Sequence, residues 1–230
     1  LIAKLYDVIG VLAPAIAMLK LQFKECWRLD YDWDFNIPEG DMRSRYLEWC
    51  DSMHLLSSLN IPRYFKDFDR MELSPERNLH FLVDASAHCI CVVVYVTVQV
   101  GVEIESYFLC SRNKLVPYKE PRTICELELS SAALAAKLAP ICMKALEITQ
   151  ENIFLWTDSM VSLYWLLSDD NKQKIYVSNR VKKVQAVFKK SHTFYISGLL
   201  NPADAPTRGL ITIKELVDTK SEIYEKWFHG

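Results

Sequence analysis

His80-Phe81-Leu82-Val83-Asp84-Ala85-Ser86, followed almost at once by Val92-Val93-Val94-Tyr95-Val96-Thr97-Val98, is the stretch that decides the fold. Both runs are dominated by β-branched, aromatic and aliphatic residues and read as strands. A second stretch, Ile153-Phe154-Leu155-Trp156-Thr157-Asp158-Ser159, repeats the arrangement of a strand, an Asp and a nearby Ser. An apolar-rich helix with Val161, Leu163, Trp165, Leu166 and Leu167 follows it. One Asp after a strand reads first as a turn or helix cap. Two such strand ends in one domain point to a ligand site, because open α/β sheets gather ligands at the carboxyl ends of their strands.

Outward from these runs, residues 103–110 read as a third strand, and helix, strand, helix, helix, a strand at 193–196 and a short helix complete the order. That pattern predicts a mixed five-stranded α/β sheet flanked by helices. Residues 1–75 read as a helical segment, with helices at 15–27 and 43–56 separated by Tyr31-Asp32-Trp33-Asp34-Phe35 and Pro38; Trp27, Trp33 and Trp49 are its expected anchors. Ser74-Pro75-Glu76-Arg77-Asn78 marks a boundary. The sheet domain is expected over 76–212, and a C-terminal helix over 213–230 is expected to dock through Leu216, Ile223, Tyr224 and Trp227.

Two further carboxylates join the strand-end pair. Glu128 opens a segment in which Leu127, Ser131, Leu134 and Leu138 keep helical spacing, and it lies at the edge of that apolar face. Its neighbour Glu126 suits the positive end of the helix dipole. Asp204 sits in Asn201-Pro202-Ala203-Asp204-Ala205-Pro206-Thr207-Arg208-Gly209, where a plain first-turn acid is the competing reading. Converging carboxylates suit hard divalent cations, and two ions roughly 3.5–4 Å apart clamp the attacking and leaving oxygens of a phosphoryl displacement.

The 230 residues are 50% hydrophobic and 24% charged, enough chain for a buried core, with no low-complexity tract. Seven cysteines without Cys-x-x-Cys spacing read as buried thiols of a reducing compartment. Lys4, Asp7 and Lys20 interrupt the apolar opening, so it is expected to be neither a signal peptide nor a membrane span, and the chain, which lacks an initial Met, is expected to be cut from a longer polypeptide. A net charge of −2 does not by itself announce a nucleic-acid binder. The basic residues are nevertheless concentrated: Lys172, Lys174, Arg180, Lys182, Lys183, Lys189 and Lys190 fall in one short stretch, either a solvated face or a backbone-tracking surface.

From Phe81 to Gly209 the chain resembles the ribonuclease H domain of Bel/Pao-type LTR retrotransposon polyproteins, with "VDAS", "TICELELSSAALAAKL", "LWTDS", "VSNRV" and "NPADAPTRG" in family order. The upstream "LYDVIGVLAPAIAMLKLQFKECWRLDYDWDFNIP" resembles the segment joining reverse transcriptase to that domain. The resemblance implies a metal-binding catalytic tetrad of Asp84, Glu128, Asp158 and Asp204 holding two Mg²⁺ ions, with Mn²⁺ as substitute. It implies hydrolysis of the RNA strand of RNA–DNA hybrids during reverse transcription, with the polyprotein's reverse transcriptase as partner and no membrane. It also implies a cytoplasmic setting within a virus-like particle, or a nuclear one. Asn179 and Arg180 lie nearest the implied substrate, Ser86, Ser159 and Asn179 are positioned for 2′-hydroxyl contacts, and Lys182 and Lys183 for phosphates.

Departures from the family pattern are Cys91 in the second strand, Cys125-Glu126 before the Leu-Glu pair, and Leu199-Leu200 before Asn201; none touches a carboxylate. Integrases and transposases place their Glu last, and proofreading exonucleases carry Asp-x-Glu on the first strand where this chain has Ser86. The remaining alternative is a catalytically silent, domesticated nucleic-acid-binding or scaffolding module. Four retained carboxylates weigh against it, because like charges without cations repel.

Overall fold

The computed structural model describes residues 5–61, 77–100, 102–118, 122–169 and 173–230. The expected boundary at Ser74-Pro75-Glu76 and Lys172 of the basic stretch lie outside them. Among the described residues, β1 (Arg77–Ala85), β2 (Cys89–Val100) and β3 (Glu103–Leu115) form an antiparallel meander. Next come β4 (Ile153–Thr157) and β5 (Thr193–Tyr195), and the sheet order is β3-β2-β1-β4-β5. β4 runs parallel to both β1 and β5, which makes the sheet mixed as expected.

Period-two alternation divides the sheet's side chains between two cores. Leu79, Phe81, Val83, Val92, Val94, Val96 and Val98 face one way; Leu82, Cys91, Val93 and Tyr95 face the other. Helices α1 (Ala13–Arg28) and α2 (Asp41–Ser52) precede the sheet, and α3 (Ile124–Leu146) follows its meander. By length and apolarity α3 qualifies as a candidate membrane span. It instead lies on the first core, where Leu129, Ala132, Ala135, Leu138 and Ala139 meet β1 and β2. The alanines on that face let helix and sheet approach closely.

Beyond β4 lie α4 (Met160–Leu167) and α5 (Ile175–Gln185), and α5 buries Val177, Val181 and Val184 at helical spacing. The tail holds α6 (Asp204–Arg208), α7 (Ile213–Val217) and α8 (Glu222–His229). Ala13, Ala15 and Leu19 of α1, Trp49 of α2, Ile213 and Leu216 of α7 and Trp227 of α8 close the second core over Leu82, Val93 and Tyr95. The N-terminal segment, the sheet and the tail thus share one apolar interior.

Three details differ from the sequence reading. The tail is two helices, because Thr212 and Ser221 each accept a backbone N–H and start a new one. α2 ends at Ser52 and tightens into a 3₁₀ turn, Met53–Ser58. Trp27 and Trp33 are not buried anchors: they are 64% and 79% exposed, while Trp49 is 3% exposed. The reason is that α1 buries only its first half, residues 13–19, so Trp27 meets Phe23 and Trp33 on the surface.

A candidate metal centre at the strand ends

Register explains why two distant aspartates meet. β1 and β4 are parallel neighbours with Val83 opposite Thr157, so the next residue of each, Asp84 and Asp158, emerges side by side at roughly the 4.8 Å spacing of paired strands. Glu128 arrives from α3, whose start is fixed by a capping box. Thr123 Oγ1 accepts the Glu126 N–H at 3.3 Å and Glu126 Oε2 accepts the Thr123 N–H at 3.1 Å. Glu126 is thereby spent on the helix end, and Glu128, five residues into the helix, turns to the sheet. One carboxylate oxygen from each of Asp84, Glu128 and Asp158 lies within 4.8 Å of the others.

Burial sets the electrostatics. Asp84 and Glu128 are each 6% exposed. Desolvation, then the neighbouring Asp84 and Asp158 charges, push Glu128 up to about 9. Desolvation and the charges of Asp158 and Asp204 raise Asp84 to about 6, against the opposing hydrogen bond from the Thr207 hydroxyl. Asp158 is raised in the same direction, mainly by burial. Glu128 Oε2 is buried and has no hydrogen-bond partner. An all-oxygen donor set, mutual repulsion and an orphaned carboxylate oxygen together fit a hard divalent cation.

Asp204 stands outside that three-residue cluster. It begins α6, and its Oδ1 accepts from Arg208 Nε at 2.7 Å, although its charge still reaches Asp84 and Asp158. The remaining sequence-predicted residues lie outside the three-carboxylate cluster. The Ser86 hydroxyl donates to the Thr207 carbonyl at 2.8 Å and accepts the His88 and Cys89 N–H groups, so it ties the β1–β2 turn to α6. Ser159 caps α4 by accepting the Ser162 N–H. Asn179, Lys182 and Lys183 are exposed on α5. Arg180 donates to Ser130 Oγ at 3.0 Å and lies over the Tyr176 ring.

Residues that the sequence reading did not single out complete the support. Asn201, 0% exposed, donates to the Val83 carbonyl at 2.9 Å and so ties the loop before Asp204 to the end of β1. Gly198 passes so close that an added Cβ would stand 3.0 Å from Asp158 Oδ2. Lys226 of α8 donates to the Leu199 carbonyl at 2.8 Å, bringing a cation from the tail to the rim. None has a local sequence signal, since each acts on a residue far away in the chain.

The raised carboxyls imply a pH dependence of known sign. A group whose folded pKa exceeds its unfolded value stabilises the fold fully below the unfolded value, and that contribution is lost as pH rises through the folded one. For Asp84 and Glu128 the window runs from the ordinary 3.8 and 4.5 up to about 6 and about 9. In EDTA, the melting temperature is therefore expected to fall across this window, and millimolar Mg²⁺ or Mn²⁺ is expected to restore it at the alkaline end. Melting curves identical with and without cation at pH 8 would exclude a formed site.

No curated protein matches the chain. Among solved structures, the N-terminal RNase H domain of rv2228c from Mycobacterium tuberculosis, a fusion with maltose binding protein, is similar over 58% of this chain and 99% of its own, at 9% identity and TM-score 0.36. RNase H1 from Halobacterium salinarum NRC-1 is similar over 54% of this chain and 87% of its own, at 9% identity and TM-score 0.35. LC11-RNase H1, solved in complex with an RNA/DNA hybrid, covers 55% of this chain and 88% of its own, at 10% identity and TM-score 0.31. The sheet is mixed and five-stranded with flanking helices, and an RNaseH-like domain is what the matching family model describes. Residues 1–159 match the model of the Pao retrotransposon-like RNaseH-like domain, and the chain belongs to that family.

Proposed function

We propose that the chain is a metal-dependent endonuclease that hydrolyses the RNA strand of RNA–DNA hybrids, as the ribonuclease H of a retrotransposon's reverse-transcription machinery. The observation that carries this reading is the convergence of Asp84, Glu128 and Asp158, with the buried Glu128 oxygen left without a partner. Asp84, Glu128 and Asp158, with Asp204 from the adjoining helix, would hold two Mg²⁺ ions, for which Mn²⁺ can substitute. Bound there, divalent cations supply the charge that lowers the pKa of the attacking water and stabilises the leaving 3′ oxygen.

The chain's own residues set the geometry for that chemistry. The Thr207 hydroxyl donates to one Asp84 oxygen and so fixes that carboxylate at the end of β1. Asn201 fixes the loop that delivers Asp204, and Arg208 pairs with its carboxylate. On the substrate side, Arg180, Lys182 and Lys183 meet phosphates, and Asn179 meets a 2′-hydroxyl. Because the Ser86 and Ser159 hydroxyls are engaged in the fold, their contribution to 2′-hydroxyl recognition goes through the turns they fix. Selection of a hybrid follows from an A-like duplex exposing 2′-hydroxyls in a wide minor groove. The reverse transcriptase of the same polyprotein is the proposed partner, in the cytoplasm within a virus-like particle or in the nucleus.

The test compares labelled RNA–DNA hybrid, double-stranded RNA and single strands in Mg²⁺, Mn²⁺ and EDTA. Cation-dependent cutting of the hybrid's RNA strand, leaving 5′-phosphate and 3′-hydroxyl ends, is expected. Binding of the hybrid without cutting in either cation would instead establish the silent-module reading. On the basic helix, Lys182→Glu with Lys183→Glu is expected to weaken hybrid binding and to flatten its salt dependence by about one log–log unit for each phosphate no longer neutralised. Unchanged binding at low salt returns these exposed lysines to a solvated face.

A further inference from the structure

A cleft of about 500 Å³ opens beside the metal centre, between the outer half of α1 and the loops at the carboxyl ends of the strands. None of the carboxylates lines it, but two of its walls come from the elements that carry them. Ala87 and His88 belong to the turn that begins just past Asp84, and Leu127 is the residue before Glu128. The opposite wall is α1, where Lys24 and Arg28 stand one turn apart on the same face. Arg122 borders the cleft ahead of α3, and Tyr118, 64% exposed, lies near it in the chain and in the lining.

The charge balance of this concavity is one-sided. Lys24, Arg28 and Arg122 line it, against the single acid Glu25, which is already paired with Arg28. The cations also continue beyond the cleft. The Arg122 guanidinium lies 4.1 Å from the centre of the Tyr176 ring on α5, and the Arg180 guanidinium lies 3.3 Å from the same centre. A basic band therefore runs from α1, past the start of the helix that carries Glu128, to α5. A basic groove with an exposed aromatic ring is the combination that tracks a nucleic-acid strand, through phosphate contacts and stacking.

We propose that this cleft is a second nucleic-acid contact, in which the backbone of a strand leaving the metal centre passes over α1 with its phosphates on Lys24, Arg28 and Arg122 and a base or sugar against Tyr118. The proposal rests on the nuclease reading and adds to it that the N-terminal segment is part of the substrate surface. Its occupant is set by the charge complementarity and by the lining segments that adjoin Asp84 and Glu128 in the chain. α1 thus serves two purposes. Its inner half, residues 13–19, closes the core, and its outer half presents cations to the substrate.

The experiment uses the full chain and the double variant Lys24→Glu, Arg122→Glu, with Lys24→Gln, Arg122→Gln as the milder pair that keeps the fold in hand. Binding of hybrids of increasing length is measured by fluorescence anisotropy in Ca²⁺, and cleavage is measured separately in Mg²⁺. For hybrids long enough to reach α1, the charge-reversed pair is expected to bind about 10-fold more weakly, with a salt slope smaller by about two, while kcat holds. The shortest hybrids should bind both proteins alike. Equal affinity and slope at every length, or an equal loss at every length, would overturn the proposal. Wild-type binding without cleavage would overturn the nuclease reading and leave the cleft to be judged by the binding series, and absence of wild-type binding would overturn both.

Discussion

Glu128→Gln is expected to reduce hybrid hydrolysis by about 10²-fold or more, the scale on which enzymes lose rate when a preorganised charge stabiliser is removed. The same substitution is expected to make the metal-free protein more stable at pH 8. Both effects have one cause: a carboxylate that is 6% exposed, has an oxygen without a partner, and is pushed up to about 9 by desolvation and by Asp84 and Asp158. Ionising it in the empty fold costs about 1.4 kcal/mol per unit of raised pKa, and the near-isosteric amide removes that cost. The melting temperature in EDTA should rise by about 2–4 °C for each kcal/mol recovered, and the stabilisation by Mg²⁺ should shrink. A residue that only supported the fold would lower the melting temperature and leave the stabilisation by Mg²⁺ unchanged. Glu126→Gln is the control, because Gln also serves at the N3 position of the Thr123 capping box, so stability and cleavage should both persist. If Glu126→Gln were inactive and Glu128→Gln active, the assignment of that helix would be wrong.

The strand ends were legible because an Asp after an apolar run keeps its meaning wherever the strand lies in the sheet. Their convergence was expected from the paired strand ends, but its basis, β1 and β4 as parallel neighbours with Val83 opposite Thr157, is a pairing across 74 positions of chain that leaves no local trace. Glu126 and Glu128 could be told apart from the helical period alone, and Thr123-x-x-Glu126 reads as a capping box. Asp204 is a mixed case. Its placement beside the centre depends on Asn201 reaching Val83, but its pairing with Arg208 follows the i,i+4 rule and was open to reading. Trp27 and Trp33 were misjudged because aromatic composition looks the same on a buried and an exposed half-helix. What separates them is that α1 outruns the surface it covers. Lys226, Gly198 and Thr207 were invisible for the opposite reason, being ordinary residues made important by where the tail is anchored.

That anchor is Trp227, and Trp227→Ala is expected to cost about 3–5 kcal/mol, the range for deleting a fully buried large aromatic side chain. Trp227 is 0% exposed and packs against Phe108 at 5.4 Å between ring centres. Its indole N–H donates to the Val11 carbonyl at 2.9 Å, and its own carbonyl accepts from the Tyr95 hydroxyl at 2.7 Å. Through its indole and its backbone carbonyl, this residue joins the tail, the entry to α1 and the central part of β2. The loss compares with a typical total stability of about 5–15 kcal/mol, so the melting temperature should fall by about 6–20 °C. Trp27→Ala, at an exposed position of the same residue type, should stay within about 0.5 kcal/mol. The damage should also reach the site, because Lys226 adjoins Trp227 and braces the turn containing Gly198, which abuts Asp158. Under conditions where Trp227→Ala remains folded, reduced cleavage with a weaker response to Mg²⁺ is expected. A variant that melts near the wild-type temperature would show that the N-terminal segment and the tail pack as separate modules. For the same reason, a chain starting at Arg77 would expose the apolar surface that α1 and Trp49 cover, and it should lose solubility along with stability.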